Sequence, residues 1–210
     1  MLGITVAVGP GWKECGEWAA KAMSKHTGLE CFVLQKYPAK LVHPYWAKLW
    51  IQSYFPGEDL LFFDADMACQ QNWNPQELLT GYDFVWVPSL GERPQMCPQV
   101  IGECKGYGLD PERYGNSGMF ILKKNCPILW RAQKLHPSCG RWPEQTALSL
   151  AIQWSSDIRV KLLPSIYNFV LRKKQHFLST KFKSAVNLHF IGLQGDTKKL
   201  AKIQRGIPCT

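Results

Sequence analysis

The N-terminal segment alternates a strand pattern, a helix pattern and a second strand pattern, and this order restricts the fold more than any other feature. Ile4–Val8 is a β-branched run that ends at Gly9–Gly11. A helical pattern follows over Glu14–Lys25, Gly28 closes it, and Cys31–Leu34 is again strand-like. Because a strand, a helix and a strand form a right-handed crossover, the sequence predicts parallel strands in an α/β fold.

Further strands and helices are predicted along the rest of the chain. Later apolar runs predict strands at Leu60–Phe63, Phe84–Val87, Met119–Leu122, Val160–Leu163 and Val186–Phe190. Helical spacing predicts helices over Pro44–Tyr54, with Tyr45, Leu49 and Ile51 toward the core, and over Glu144–Trp154. The Gly-, Pro- and Cys-rich segment Pro88–Tyr114 is longer than ordinary connections, which predicts a functional loop or a poorly ordered one.

Composition places the chain among soluble globular proteins. With 210 residues, 46% of them apolar, it can bury the core of one α/β domain. Its 25 Lys and Arg against 16 Asp and Glu favour polyanions, anionic membranes or phosphorylated small molecules. The excess lies partly in the C-terminal quarter but without an aromatic-basic motif, so nucleic-acid binding is not expected.

The remaining composition signals concern the compartment. The eight cysteines contain no CxxC pair, which favours reduced, mostly buried thiols. No apolar run is long enough for a transmembrane segment, and the N-terminus lacks the pattern of a signal peptide. We therefore expect a cytoplasmic, soluble protein.

Two aspartates, Asp64 and Asp66, directly follow the apolar run Leu60–Phe63. Open α/β sheets bind ligands at the carboxyl ends of their strands. Two carboxylates this close repel each other unless a cation joins them, and oxygen ligands suit Mg²⁺ or Mn²⁺. Such a metal would neutralise the charge that develops on a departing nucleoside diphosphate. From these residues alone, an ordinary turn at the end of a strand is the alternative.

Five motifs spread over nearly the whole chain support the metal interpretation. They are Leu61–Met67, Gly115–Leu122, Pro143–Leu148, Leu163–Asn168 and Leu188–Gly192. In this order they resemble the Asp-X-Asp strand, the Asn-Ala-Gly segment, the Asp-Gln helix start, the Leu-Pro and Asn segment and the His-Phe-X-Gly end of glycosyltransferases with the GT-A fold. The resemblance is strongest to the glycogenin and bacterial galactosyltransferase group.

The resemblance implies a fold and an activity. The fold is a single GT-A (Rossmann-like) α/β domain over 1–210, with a central, mainly parallel mixed sheet flanked by helices. The activity is metal-dependent transfer of a hexose-type sugar from a UDP-sugar donor to a glycan, glycoprotein or other hydroxyl acceptor, with retention of anomeric configuration. Mn²⁺ or Mg²⁺ is the implied cofactor.

The resemblance also implies site residues. The metal ligands are Asp64, Asp66 and His189, and the catalytic set is Gln145, Glu144 and Asp66. The residues expected to contact the donor are Val8, Gly9, Lys48, Asp64, Ala65, Asp66, Asn116, Ser117, Gln145, His189, Gly192 and Lys198.

Two positions depart from the pattern of the group. Glu144 replaces the usual Asp, which lengthens the reach of the carboxylate, and Lys198-Lys199-Leu200 replaces Lys-Pro-Trp. Lys198 and Lys199 are therefore both candidates for the lysine that contacts the diphosphate.

The sequence also bears on the mechanism. Gln145 is a poor nucleophile, so we expect the leaving phosphate oxygen to assist attack from the same face. Glu144 is the alternative nucleophile.

Two other functions are open from the sequence. A phosphatase of the haloacid dehalogenase type also ends an apolar strand in Asp-X-Asp, but this chain continues with Met67–Cys69 and has no adjacent Asp pair downstream. A nucleotide-sugar or glycan-binding module would keep the fold with weak or no turnover. The transferred sugar, the acceptor and the linkage are not specified by these residues.

Overall fold

The computed structural model describes residues 1–36, 44–89, 98–135, 139, 142–171, 184–190 and 196–205. The strands in these ranges, numbered in chain order, are β1 (Leu2–Val6), β2 (Cys31–Leu34), β3 (Leu60–Phe63), β4 (Met67–Cys69), β5 (Phe84–Pro88), β6 (Gly115–Leu122), β7 (Val160–Leu162), β8 (Phe169–Val170) and β9 (Asn187–His189). The α-helices are α1 (Trp12–Thr27), α2 (Ile51–Tyr54), α3 (Pro75–Leu79), α4 (Pro98–Tyr107), α5 (Ile128–Leu135), α6 (Pro143–Gln153) and α7 (Thr197–Arg205). Short 3₁₀ helices occupy Pro44–Trp50, Pro111–Arg113 and Ser165–Asn168.

A six-stranded mixed sheet in the order β2-β1-β3-β6-β5-β7 forms the centre of the fold. β1 runs parallel to β2 and β3, and β5 runs parallel to β7. Only β6 runs against its neighbours β3 and β5. The predicted sheet, mainly parallel and flanked by helices, is therefore confirmed.

Both faces of the central sheet are covered at β3, which explains why this strand is a continuous apolar run. In β3, Leu60 and Phe62 belong to the core cluster that includes Leu148 of α6. Leu61 and Phe63 point to the other face, in the cluster that includes Met23 of α1. All four β3 side chains are fully buried. The strand that leads into the two aspartates is thus packed on both sides.

A second, three-stranded sheet in the order β4-β9-β8 lies beyond the end of β3. Three residues separate β4 from β3, and β4 pairs antiparallel with β9. β8 pairs parallel with β9, with Val170 opposite His189. This small sheet brings C-terminal residues to the carboxyl end of β3.

Three local predictions differ from the structure. Pro44–Trp50 is a 3₁₀ helix and only Ile51–Tyr54 is α-helical. Leu49 and Ile51 are buried as expected, but Tyr45 is 45% exposed, because the tighter 3₁₀ turn rotates its face relative to an α-helix. Pro88–Tyr114 is not one long loop, since α4 occupies Pro98–Tyr107 and buries Val100 and Cys104.

No helix in the described ranges combines the length and the apolar character that crossing a bilayer requires.

Candidate active site

The turn from Asp64 to Asp66 connects the two sheets. The Asp64 N–H donates to the Gly118 carbonyl at 2.8 Å, and the Met67 N–H donates back to the Asp64 carbonyl at 3.1 Å. β4 then starts at Met67, which lies opposite His189 in β9. This register, with the Phe190 N–H donating to the Asp66 carbonyl at 2.9 Å, sets His189 beside the two aspartates.

Asp64, Asp66 and His189 form a compact cluster, with one ligand atom from each lying within 4.8 Å of the others. His189 Nε2 is 3.2 Å from Asp66 Oδ1 and 3.7 Å from Asp64 Oδ2. Within the described part of the chain, Asp66 Oδ2 and His189 Nε2 are buried without a hydrogen-bond partner. Such orphaned atoms are uncommon, and two carboxylates with one imidazole suit a divalent cation. The residues present therefore fit a metal ion.

The electrostatics of His189 reflect the two carboxylates. Burial disfavours the charged ring, but Asp66 and Asp64 outweigh this cost and raise the pKa of His189 above its ordinary value. Its other ring nitrogen, Nδ1, hydrogen-bonds Asn168 at 2.9 Å. A positive charge beside these aspartates is thus favoured, whether a proton or a metal ion supplies it.

Lys48 supplies a second positive charge from the 3₁₀ helix before β3. Its Nζ lies 2.8 Å from Asp64 Oδ1 and 3.2 Å from the Ser117 carbonyl. Burial lowers the pKa of Lys48, but the carboxylates of Asp64 and Glu144 outweigh it, so the pKa stands above its usual value. Lys48 is therefore a charged ammonium even though its side chain is only 5% exposed.

Ser117 of β6 connects this pair to the start of α6. Its hydroxyl donates to Glu144 Oε1 at 3.3 Å, and its N–H donates to Gln145 Oε1 at 3.4 Å. Gln145 Nε2 donates to the Ser89 hydroxyl at 3.5 Å. One polar network thus extends from Asp64 of the cluster to Lys48, Ser117, Glu144 and Gln145. It joins residues from three of the five sequence motifs to Lys48 of the segment before β3.

The base of α6 is fixed by a second set of buried polar groups. The hydroxyls of Tyr114 and Thr146 hydrogen-bond each other at 2.8 Å, and Thr146 donates to Glu103 Oε1 at 2.9 Å. Burial is the main cause that raises the pKa of Tyr114. This network connects α4 to the first turn of α6, next to Gln145.

The structure also gives the positions of most other residues that are expected to contact the donor. Val8 and Gly9 follow β1, and Asp64 follows β3. Because β1 and β3 are parallel neighbours, these residues lie at the same edge of the sheet. Ala65 is buried in the aspartate turn. Lys198 is exposed on α7. Gly192 lies outside the described residues.

Sequence reasoning missed the residue that fixes α7 at the site. Gln204 Nε2 donates to the carbonyls of Ala65 and Met67 at 3.0 and 3.1 Å, and the Gln204 side chain is fully buried. Nothing in the basic sequence of α7 marks this one glutamine. Asn168 ends the motif Leu163–Asn168, and the sequence predicts no separate role for it.

The six-stranded mixed sheet and its flanking helices match the GT-A fold of glycosyltransferases. The chain is similar to the galactosyltransferase LgtC, solved with donor and acceptor sugar analogues, at a TM-score of 0.62 and 11% identity, covering 99% of this chain and 96% of that one. It is also similar to a glycosyltransferase involved in glycosylation of the major capsid of PBCV-1, at a TM-score of 0.63 and 11% identity, covering 98% and 100% of the two chains.

A third similar structure is longer. The bifunctional glycosyltransferase WbbM matches at a TM-score of 0.63 and 11% identity over 96% of this chain, which spans 49% of that protein. No protein-family model matches the sequence. No curated protein matches it either.

Proposed function

We propose that this chain is a glycosyltransferase that binds a UDP-sugar through a divalent cation held by Asp64, Asp66 and His189. The observation that carries the proposal is this cluster, with its two orphaned buried ligand atoms, at the carboxyl end of β3. Ligand binding at this edge is the rule for open α/β sheets. The GT-A fold of the similar glycosyltransferases supports the same reading.

Mn²⁺ is the proposed ion and Mg²⁺ the alternative. When held by Asp64, Asp66 and His189, it would neutralise the negative charge of the leaving diphosphate. The single imidazole in the cluster favours Mn²⁺, because Mg²⁺ prefers oxygen ligands alone. Asp64 and Asp66 supply the oxygen ligands, and the burial of Asp66 excludes competing water from one of them.

The residues around the cluster are proposed to bind and orient the donor. Val8, Gly9, Ala65, Ser117 and Asn116 are expected to contact it, together with Gly192. Asp64 holds the Lys48 ammonium beside the cluster, where it is proposed to add positive charge near the donor phosphates. Lys198, at the exposed start of α7, is the proposed contact to the diphosphate, with Lys199 as the alternative.

Gln145 and Glu144 are proposed to face the anomeric carbon. Ser117 holds both side chains, so their positions are linked to the strand that also binds Asp64. Gln145 has an amide that orients the sugar but cannot act as an effective nucleophile. We therefore propose same-face attack by the acceptor hydroxyl with retention, in which a leaving phosphate oxygen accepts the proton. Glu144 is the alternative nucleophile.

The acceptor is proposed to be a hydroxyl of a glycan or glycoprotein. Hydroxyl acceptors and the hexose of the donor are both neutral. The net positive charge of this chain is therefore proposed to attract the diphosphate rather than the acceptor.

Calorimetry with UDP, with and without Mn²⁺, tests the proposal. UDP should bind only in the presence of the ion, and UDP-sugars should be slowly hydrolysed under the same conditions. Asp66→Asn removes one charged ligand without changing the shape of the side chain and should abolish both effects. Asp157→Asn is the matched control, because Asp157 is exposed and pairs with Arg131 away from the cluster.

The outcomes separate the alternatives. Equal UDP affinity with and without the ion would refute metal-dependent donor binding. Metal-dependent binding without hydrolysis of any UDP-sugar, and without transfer to a glycan panel, would identify a binding module. If Gln145→Ala hydrolyses the donor at the rate of the unmodified protein, the placement of Gln145 at the anomeric carbon is wrong.

A further inference from the structure

The orientation of the His189 ring follows from a chain of hydrogen bonds that starts at the protein backbone. The Gly118 N–H, which can only donate, lies 2.8 Å from the Asn116 side-chain oxygen Oδ1. This contact determines which end of the Asn116 amide is oxygen, because an amide nitrogen in that place would set two donors against each other. Asn116 therefore presents an acceptor to its next neighbour.

That neighbour is Asn168, whose side-chain nitrogen lies 3.0 Å from Asn116 Oδ1. Since Asn116 presents oxygen, Asn168 must present its NH₂ group there. The Asn168 oxygen then points the other way, to His189 Nδ1 at 2.9 Å. A carbonyl oxygen only accepts, so Nδ1 must carry the proton of the ring.

The proton on Nδ1 determines the state of the opposite ring nitrogen, Nε2. In the neutral imidazole only one nitrogen carries hydrogen, so Nε2 is left with its lone pair. Nε2 is the atom that lies near Asp66 and Asp64. The hydrogen-bond chain thus prepares the tautomer that a cation needs.

The backbone holds these groups in place. Asn168 ends the 3₁₀ helix that leads into β8, and β8 pairs with β9 so that Val170 lies opposite His189. Asn168 is 3% exposed and His189 is 2% exposed, so neither side chain has room to turn toward solvent. A side chain on Gly118 would overlap the imidazole, so the glycine lets the ring lie close to β6.

We propose that Asn168, anchored through Asn116 to the Gly118 N–H, is a positioning residue that fixes His189 as an Nδ1–H tautomer with Nε2 free to bind the cation. This inference rests on the proposed metal site. Partners of metal-bound histidines commonly change metal affinity by about 10- to 100-fold, and we expect a loss of that size without Asn168. The loss arises because a neutral imidazole with hydrogen on Nε2 has no lone pair for the cation.

Two variants of Asn168 separate the acceptor from the rest of the contact. Asn168→Leu removes the acceptor for His189, whereas Asn168→Asp keeps an oxygen there. Both variants lose the N–H that reaches Asn116, so the difference between them isolates the bond to His189. Mn²⁺ affinity without donor is measured by calorimetry, and folding is checked by circular dichroism.

A second readout reports the position of the proton directly. ¹⁵N NMR of histidine-labelled protein without metal, at alkaline pH where the ring is neutral, shows which ring nitrogen carries hydrogen. His189→Gln identifies the signal among the five histidines of the chain. The unmodified protein and Asn168→Asp should have hydrogen on Nδ1, and Asn168→Leu should have it on Nε2. The carboxylate that Asn168→Asp introduces can change metal affinity through its charge alone. The NMR signal is free of this ambiguity, because it reports the position of the ring hydrogen itself.

The two measurements also separate this inference from the proposed function. Unmodified protein that binds no Mn²⁺ would refute the metal site, and the NMR result would then decide the tautomer alone. Hydrogen on Nε2 in the unmodified protein would overturn the inference. So would unchanged Mn²⁺ affinity in a folded Asn168→Leu variant. If that variant does not fold, the spectra of the unmodified protein and Asn168→Asp still decide.

Discussion

Replacing Lys48 with methionine tests whether its charge balances the aspartate cluster. Methionine keeps the apolar length of the side chain, so the change removes little besides the ammonium. Removing one partner of a buried ion pair costs about 3–5 kcal/mol, since the other charge stays buried. The Asp64 side chain is 25% exposed, which reduces the expected loss to about 2–3 kcal/mol.

The assay is thermal unfolding with and without Mn²⁺. In a domain of this size, a loss of about 2–3 kcal/mol lowers the melting temperature by about 5–10 °C. Saturating Mn²⁺ should reverse most of this decrease in Lys48→Met, because a cation again neutralises Asp64. The variant should also bind Mn²⁺ more tightly than the unmodified protein, since no ammonium competes for the same carboxylate.

Lys13→Met is the matched control. The Lys13 side chain is 64% exposed and pairs with Glu17 on the surface of α1, so we expect little change. An equal loss of melting temperature in Lys48→Met with and without Mn²⁺ would refute the reasoning. It would mean that Lys48 stabilises the fold through packing rather than through its charge.

Two further substitutions test the shape of the site and the surface charges. Gly118→Ala should lower Mn²⁺ affinity by about 10-fold or more, because its Cβ would displace the His189 ring, whereas Gly102→Ala, with open space around it, should leave the affinity unchanged in the same titration. The pKa of Asp83 is lowered to about 2, chiefly by the hydrogen bond from Arg159. A lowered pKa stabilises the folded state above the ordinary value of 3.8, so Asp83→Asn should cost about 1 kcal/mol at neutral pH, and urea unfolding should show this difference shrinking between about pH 4 and pH 2. A difference that persists at the acid end would assign the effect to shape rather than to ionisation.

The sequence predicted the central strands well because their pattern is local. β2 and β3 have the predicted bounds, and α1 ends at Thr27 with Gly28 as its C-cap, which adopts the left-handed conformation with φ 72°. A strand buried on both faces needs a continuous apolar run, and a helix end needs a residue that tolerates positive φ. Both requirements are visible in a few adjacent letters. The Asp64 to Asp66 turn was recognised for the same reason.

Local spacing was less reliable where two helical geometries compete. Pro44–Tyr54 has spacing that suits an α-helix, but most of it is 3₁₀, and Tyr45 turns outward as a result. The α4 helix was hidden because Gly and Pro dominate its surroundings. Burial of Val100 and Cys104 by the rest of the fold stabilises it, and a short window of sequence does not contain that contribution.

The sequence by itself determined the residue types of the site: two aspartates after a buried strand, and a histidine near the C-terminus that a family resemblance singled out. Only the tertiary structure decided how they meet. The register of β4 on β9 sets His189 beside Asp66, and the bond of Lys48 to Asp64 joins two separate elements. Asn168 and Gln204 acquire their partners in the same way. The physical reason is that hydrogen bonds and ion pairs act over a few ångströms in space, and only the fold brings residues that are 16 to 139 positions apart in the sequence within that distance.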